Sequence, residues 1–189
     1  VVLDEEGVEV IYATGYIGLS NSYRLFVKNM TRPHHEKIMN WHLVGPISKP
    51  QGQPLWGLNT SENPPDAFFE NGSFDIETFE PDLVKTVQSN SLGIVHLDDT
   101  VTENYSYLNW WAHATIESDK EQDVILHIGS DDAVKVWLNG EEIHRRAAYR
   151  VVTRGDDKML ATLKPGENDL LLKVVNGLGP GGFVVEVER

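Results

Sequence analysis

Residues that could carry out catalysis are few in this chain of 189 residues. It has no Cys, no Gly-x-Ser-x-Gly elbow and no Gly-Lys-Ser/Thr phosphate loop, which excludes the nucleophiles and nucleotide cradles built on them. The seven His residues are scattered, and adjacent His34 and His35 would point to opposite sides of an extended chain, which disfavours zinc. The acidic pairs Asp98-Asp99 and Asp156-Asp157 fit solvated turns or a cation site. Spacing selects no particular pair of carboxylates as the catalysts of a glycosidase.

Aromatic, acidic and basic side chains offer a second kind of chemistry, the binding of a ligand. An aromatic ring can stack on an apolar face of a ligand while polar side chains bond its polar groups. The candidates for stacking are Trp56, Tyr107, Trp111 and Tyr149, and those for polar contact are Asp131, Asp132, Arg145 and Arg146. The arginines belong to a basic stretch that continues to Arg154, and they would either bind a carboxylate or sulfate group of a ligand or neutralise neighbouring acids.

Composition narrows the class of protein. A net charge of -13 disfavours nucleic acid as a partner, and no apolar run approaches the roughly 20 residues of a membrane-spanning helix. A hydrophobic fraction of 40% is enough for one sizeable core, so a single domain is expected. The start at Val1, without an initiator Met, is typical of a mature or excised piece of a longer protein.

Alternation with a period of two predicts strands through the second half of the chain. Asn139-Gly140 predicts a hairpin over Ala133 to His144, because both residues tolerate the positive φ of a type I′ turn. Further turns are predicted at Lys164-Pro165-Gly166 and from Gly177 to Gly182. The four strand segments are Asp123 to Gly129, Ala133 to Gly140, Asp169 to Val175 and Phe183 to Glu188.

The first half is less regular. Strands are predicted over Gly7 to Ala13, Ser22 to Asn29 and Met39 to Ile47, the last ending in a Gly-Pro turn. A long loop is expected from Ser48 to Pro65, and a short helix over Pro81 to Ser89. Together these elements predict an all-β fold, an antiparallel β-sandwich with little helix.

The segment Tyr105 to Ile116 has two distinct faces if it forms one strand. One face would carry the core residues Leu108, Trp110, Ala112, Ala114 and Ile116. The other would carry Tyr105, Tyr107, Asn109, Trp111 and His113, which would either contact a ligand or pack beneath a loop.

Three segments in the second half resemble a known family of domains. They are GSDDAVKVWLNG from Gly129, LKPGENDLLLKVVNG from Leu163 and GPGGFVVEVE from Gly179. In this order they are similar to the galactose-binding-like jelly-roll domains attached to secreted bacterial glycoside hydrolases and surface proteins, and WHLVGP from Trp41 resembles the opening of that domain. The resemblance covers residues 41–189, which would form a jelly-roll core. The N-terminal strands within residues 1–40 lie outside it. It implies a sandwich that binds carbohydrate or serves as an accessory to an enzyme, without catalysis.

The Ser-Asp-Asp element also resembles a motif of protective-antigen-type adhesin domains. That resemblance implies Asp131 and Asp132 as ligands of Ca²⁺, with Asn176 as a further candidate, and the ion would in turn hold sugar hydroxyls. The alternative is a turn in which these side chains bond backbone N–H groups without metal.

The resemblance therefore implies a non-catalytic carbohydrate-binding module of a secreted or cell-surface protein. The aromatic candidates would stack on the C–H faces of sugar rings, and the polar candidates would bond sugar hydroxyls or the carboxylate or sulfate of an acidic glycan. The module's partners would be a polysaccharide or glycan and other domains of the parent protein. Its candidate cofactor is Ca²⁺. The alternatives are a structural or protein-interaction module and a hydrolase or lyase that uses loop carboxylates.

Overall fold

The computed structural model describes residues 2–3, 9–10, 34–48, 81–102 and 106–189. The chain forms two compact units, Val1–His34 and His35–Arg189. In the first, strands β1 (Val2–Leu3) and β2 (Glu9–Val10) pair antiparallel. The predicted boundary at residue 40 between outlying strands and a jelly-roll core stays a prediction.

The second unit is built from strands. Their bounds are β3 His35–Lys37, β4 Asn40–Ser48, β5 Val84–Gln88, β6 Ile94–His96, β7 Leu108–Ser118, β8 Gln122–Asp131, β9 Ala133–Leu138, β10 Glu141–Arg146, β11 Asp157–Leu163, β12 Gly166–Val175 and β13 Gly182–Glu188. Two short 3-10 turns, Pro81–Leu83 and Asp98–Thr100, are the helical elements of the described ranges. None of these has the length and apolar character needed to cross a bilayer.

The strands form two antiparallel sheets. A six-stranded sheet has the order β10-β9-β12-β7-β4-β5, and a five-stranded sheet has the order β11-β8-β13-β3, with β6 also pairing to β13. The prediction of an all-β antiparallel sandwich is confirmed.

A hydrophobic core lies between the sheets because alternate residues of each strand face inward. The predicted core face of β7 is confirmed: Trp110, Ala112, Ala114 and Ile116 are buried there, and Leu108 packs against them. The core continues through the aliphatic residues of β8, β12 and β13, and Phe183 meets Trp41 edge to face at a ring separation of 4.8 Å.

The predicted hairpin is confirmed as β9 and β10. Asn139 and Gly140 have φ values of 50° and 82°, as a type I′ turn requires. The neighbouring Lys164 to Gly166 turn is held by Asn168, whose fully buried amide accepts the N–H of Lys164 and donates to the carbonyls of Lys164, Gly166 and Ile116.

Some predictions in the first half are wrong. Pro81 to Ser89 is not a helix: after a 3-10 turn it forms β5, whose ladder with β4 pairs Val87 with Trp41. A helix of two turns is marginal alone, so sheet pairing decides the conformation. Strand β4 also continues through the expected Gly45-Pro46 turn, with a shift in its register to β7. The predicted strand Ser22 to Asn29 and residues 49–65 of the long loop lie outside the described residues.

Candidate functional site

One end of the sandwich gathers the connections that contain most predicted site residues. The strands β8, β10 and β12 end here, and β7, β9, β11 and β13 begin here. We call the loops around Gly177 at this end the Gly177 rim, consisting of Ser106, Tyr107, Asp131, Asp132, Tyr149 and residues 176–181.

Asp132 connects three loops of the rim. Its buried carboxylate accepts the backbone N–H of Arg150 at 2.9 Å and that of Gly177 at 2.7 Å. Its carbonyl accepts the Ser130 hydroxyl at 2.7 Å, and the Asp131-Asp132 peptide bond is cis. Hydrogen bonds from backbone N–H groups to these side chains are what the alternative of a metal-free turn predicted. A role of Asp131 and Asp132 as Ca²⁺ ligands stays a proposal.

Arg150 anchors the loop that carries Tyr149. Its side chain, 9% exposed, donates to the Asp132 carbonyl at 3.3 Å and to the Ser130 hydroxyl at 2.6 Å. It also forms ion pairs with Asp156 at 2.9 Å and Asp157 at 2.6 Å. Arg150, the third of the four arginines in the basic stretch, is thus a structural cation that fixes the loop against the end of β8.

Asp131 lies in an unfavourable electrostatic position for a carboxylate. Burial raises its pKa to about 6, the negative charges of Asp132 and Asp98 add to this effect, and Arg150 opposes it. The Oδ1 atom of Asp98 is itself buried and has no hydrogen-bond partner. Three carboxylates therefore influence one another here, and a bound proton or cation would relieve their repulsion.

Two of the four predicted stacking residues come together at the rim. Tyr107 donates its backbone N–H to the Gly177 carbonyl at 2.7 Å, and a Cβ at Gly177 would lie 2.8 Å from Cε1 of Tyr149. Both tyrosines are exposed, at 49% and 64%, and so is Leu178, the residue after Gly177. The rim thus presents an apolar and aromatic surface beside the carboxylates.

The other two stacking candidates lie elsewhere. Trp111 is 1% exposed, on the outer face of the six-stranded sheet, where its ring packs 5.4 Å from that of Trp137 with Val44 and Leu171. Lys173 lies 5.3 Å from its ring centroid. Of the two alternatives for Trp111, contact with a ligand or packing against neighbouring side chains, the structure has the packing. Trp56 lies outside the described residues.

The two arginines predicted to contact a ligand lie near the rim, and each forms an ion pair with a carboxylate. Arg145 forms a two-bond ion pair with Glu142, which also receives Lys135 at 2.9 Å. Arg146 lies 3.4 Å from Asp157, with its side chain 52% exposed. The charge-neutralising alternative thus describes Arg145, while Arg146 keeps much of its guanidinium accessible.

Sequence reasoning did not single out a groove between β5 and β6. It encloses about 390 Å³ and is lined by Lys85, Gln88, Asn90, His96 and Asp99 among others. Its residues come from two short strands and a turn with no common motif, so only the folded chain brings them together.

Comparison with protein-family models finds no match, and neither does comparison with curated proteins. Solved structures do resemble the chain. A β-glucosidase from Kluyveromyces marxianus in complex with glucose has a TM-score of 0.48 and 16% identity over 80% of this chain and 16% of that one. A Ruminococcus gnavus β-glucuronidase has a TM-score of 0.47 and 12% identity over 86% of this chain and 30% of that one.

A third similar structure is a GH2 β-galacturonidase from Eisenbergiella tayi bound to galacturonate. Its TM-score is 0.44 and its identity 13%, over 82% of this chain and 24% of that one. The chain spans less than a third of each of these three proteins.

Proposed function

We propose that the chain is a non-catalytic carbohydrate-binding module, an accessory domain of a larger secreted or cell-surface protein. Its binding surface is the Gly177 rim, and its partners are a polysaccharide or glycan and the neighbouring domains of its parent. The supporting observation is that Tyr107 and Tyr149 are both exposed beside Gly177, Tyr107 bonded to it through its backbone N–H and Tyr149 lying close to it with its ring.

Stacking explains why two tyrosines on one rim suit a sugar. The C–H face of a pyranose is apolar, so covering it with an aromatic ring removes apolar surface from water, while the phenol hydroxyl remains available for hydrogen bonds. The anchored Arg150 and Asp132 hold the loops under these rings, which lowers the entropy lost when a ligand binds. Arg146, half exposed, would contact a carboxylate or sulfate group of an acidic glycan.

We include Ca²⁺ in this proposal, held by Asp131 and Asp132 with the nearby Asp98. The fit rests on the buried Asp98 Oδ1 without a partner and on the raised pKa of Asp131 beside two other carboxylates. Hard oxygen donors are the ligands that Ca²⁺ prefers, and the bound ion would supply positive charge for sugar hydroxyls. The oxygens of Asp132 already accept two N–H groups, so this residue contributes only through its remaining lone pairs.

Binding is tested by titrating neutral and acidic polysaccharides into the unmodified chain and into Tyr149→Ala. Loss of one stacking ring should weaken affinity about tenfold or more. Leu160→Ala is the control, because Leu160 is an exposed apolar residue on β11, outside the rim. Equal affinity of both variants and the unmodified chain would remove the rim from consideration.

The cation is tested by thermal unfolding in Ca²⁺ and in EDTA. A ligand of the folded state raises the melting temperature, so Ca²⁺ should stabilise the unmodified chain and leave Asp131→Asn unchanged. Absence of any glycan or calcium effect would favour the structural or protein-interaction module, and turnover of a bound oligosaccharide would favour a hydrolase or lyase.

A further inference from the structure

Three potential metal ligands meet on the outer face of the five-stranded sheet. Val185 and Val187 of β13 point into the core, so Glu186 and Glu188 point outward. The ladders place His35 of β3 directly opposite Glu188, and His127 of β8 directly opposite Glu186. Three adjacent strands thus bring two imidazoles and two carboxylates to one patch.

The distances within this patch suit a single ion. His127 Nε2 lies 2.5 Å from Glu188 Oε2, and His35 Nε2 lies 3.6 Å from the same oxygen. One ligand atom from each of the three residues lies within 4.8 Å of the other two. Ligand atoms around tetrahedral zinc are about 3.3 Å apart, given bonds of about 2.0–2.1 Å. An ion would therefore replace the hydrogen bond that joins His127 Nε2 to Glu188 Oε2, and this pair would separate slightly to bind it.

The surroundings fix part of the patch and leave part open. His127 is 4% exposed, and the buried Glu186 is held by Arg154, whose Nε donates to it at 2.9 Å. Glu186 Oε2 lies 3.7 Å from His35 Nδ1, which places a second carboxylate beside that imidazole. The His35 side chain is 38% exposed, so the open side of the patch faces solvent and can admit water as a further ligand.

The cationic side chains near the patch do not form ion pairs with Glu188 in the part of the chain that the structure describes. Arg154 is committed to Glu186, and the Nζ of Lys37, beside Glu186 on β3, donates to the Ser91 carbonyl at 2.9 Å. Lys158, opposite His127 on β11, is exposed. The two imidazole nitrogens therefore face a carboxylate that no ammonium neutralises in the structure described.

We propose that His35, His127 and Glu188 bind one divalent transition-metal ion of the zinc class. Imidazole nitrogen with one carboxylate suits Zn²⁺, Co²⁺, Ni²⁺ or Cu²⁺, whereas Ca²⁺ prefers oxygen donors alone. The ion would cross-link the edge strand β3 to β13 and β8. This site is independent of the Gly177 rim and of the sugar-binding proposal.

The test uses the chain without a histidine tag, titrated with Zn²⁺ and Co²⁺. We expect one ion per chain, a rise of several degrees in the melting temperature at saturating Zn²⁺, and two imidazole ligands in the X-ray absorption spectrum of the zinc-loaded chain. No binding up to 100-fold excess over a micromolar protein concentration, or a spectrum without imidazole, would overturn the proposal.

Matched variants localise the ion. His35→Gln and Glu188→Gln should each weaken Zn²⁺ at least tenfold, while His34→Gln, at an exposed neighbour outside the patch, should bind like the unmodified chain. Circular dichroism checks that each variant folds, and the absorption spectrum of the unmodified chain decides the question if one does not. Equal weakening by His34→Gln and His35→Gln would refute the assignment.

Discussion

Asp132 accepts the backbone N–H of Gly177 at 2.7 Å, joining two loops that are 45 residues apart in sequence. The same carboxylate accepts the N–H of Arg150, so one buried side chain holds the β8–β9 turn, the Tyr149 loop and the β12–β13 loop together. The exposed surface of the rim therefore depends on a residue that is itself almost inaccessible.

Asp132→Ala should destabilise the fold by about 3 kcal/mol, because two hydrogen bonds to a charged acceptor are lost and their donors stay buried. Urea unfolding measures this change. Asp156→Ala is the control: it removes only an exposed partner of Arg150, at a cost below about 1 kcal/mol. Similar losses in the two variants would contradict the role given to Asp132.

The titration of Asp131 should be visible in the stability of the chain. Its pKa in the folded state, about 6, lies above the ordinary value of 3.8, so the folded chain binds this proton more tightly than the unfolded chain does. The resulting stabilisation is complete below pH 3.8 and is lost as pH rises through 6.

This effect is measured by unfolding free energies between pH 5 and 7 in EDTA. We expect Asp131→Asn to remove about 1 kcal/mol of pH dependence, a value reduced for the screening that a partly exposed group experiences. An unchanged pH profile in the variant would assign the dependence to another group.

Gly129→Ala should be severely destabilising, by about 3 kcal/mol, because the added Cβ would lie 2.0 Å from the backbone oxygen of Thr153. The control Gly179→Ala meets no atom within 4 Å and only places alanine at a φ of +82°, at a cost of about 1 kcal/mol. Thermal unfolding of both variants separates the clash from the cost of left-handed backbone. A mild effect at Gly129 would show that the loop at Thr153 can move away.

Trp111→Ala should lower stability by about 3–5 kcal/mol, as truncation of a buried tryptophan does, and it should not act as a selective binding mutation. Tyr149→Ala should change stability by less than about 1 kcal/mol, since its ring is mostly in solvent. Unfolding curves recorded beside the glycan titrations distinguish the two. A stable Trp111→Ala chain with lost glycan affinity would reverse this interpretation.

Local sequence signals predict local structure well in this chain. Asn139-Gly140 fixes its hairpin because the φ requirement belongs to two adjacent residues, and the two faces of β7 follow from strand geometry alone. The helix predicted over Pro81 to Ser89 is wrong because a distant contact outweighs the local pattern. The segment pairs instead with β4, which lies 30 or more residues earlier in the chain.

The candidate sites are formed by residues that are far apart in the sequence. The sequence shows Tyr107 and Tyr149 as aromatic but cannot show that Gly177 brings them together, nor that Trp111 is buried on the outer face of its sheet. The expectation that adjacent His34 and His35 disfavour zinc considers neighbours along the chain, whereas the cluster at His35 arises from neighbours across the ladder. The register of the β3–β13 and β13–β8 ladders decides the cluster at His35, and loop contacts decide the placement of the two tyrosines.

Strand β13 lies in the middle of the five-stranded sheet, with β8 on one side and β3 and β6 on the other. During synthesis on the ribosome, strands β3, β6, β8 and β11 therefore emerge before Gly182–Glu188, and this sheet closes only when β13 is available. Until then β8, β6 and β3 expose unpaired edges, so ribosome-bound fragments that stop before residue 182 should be the forms most prone to aggregation and most dependent on chaperones.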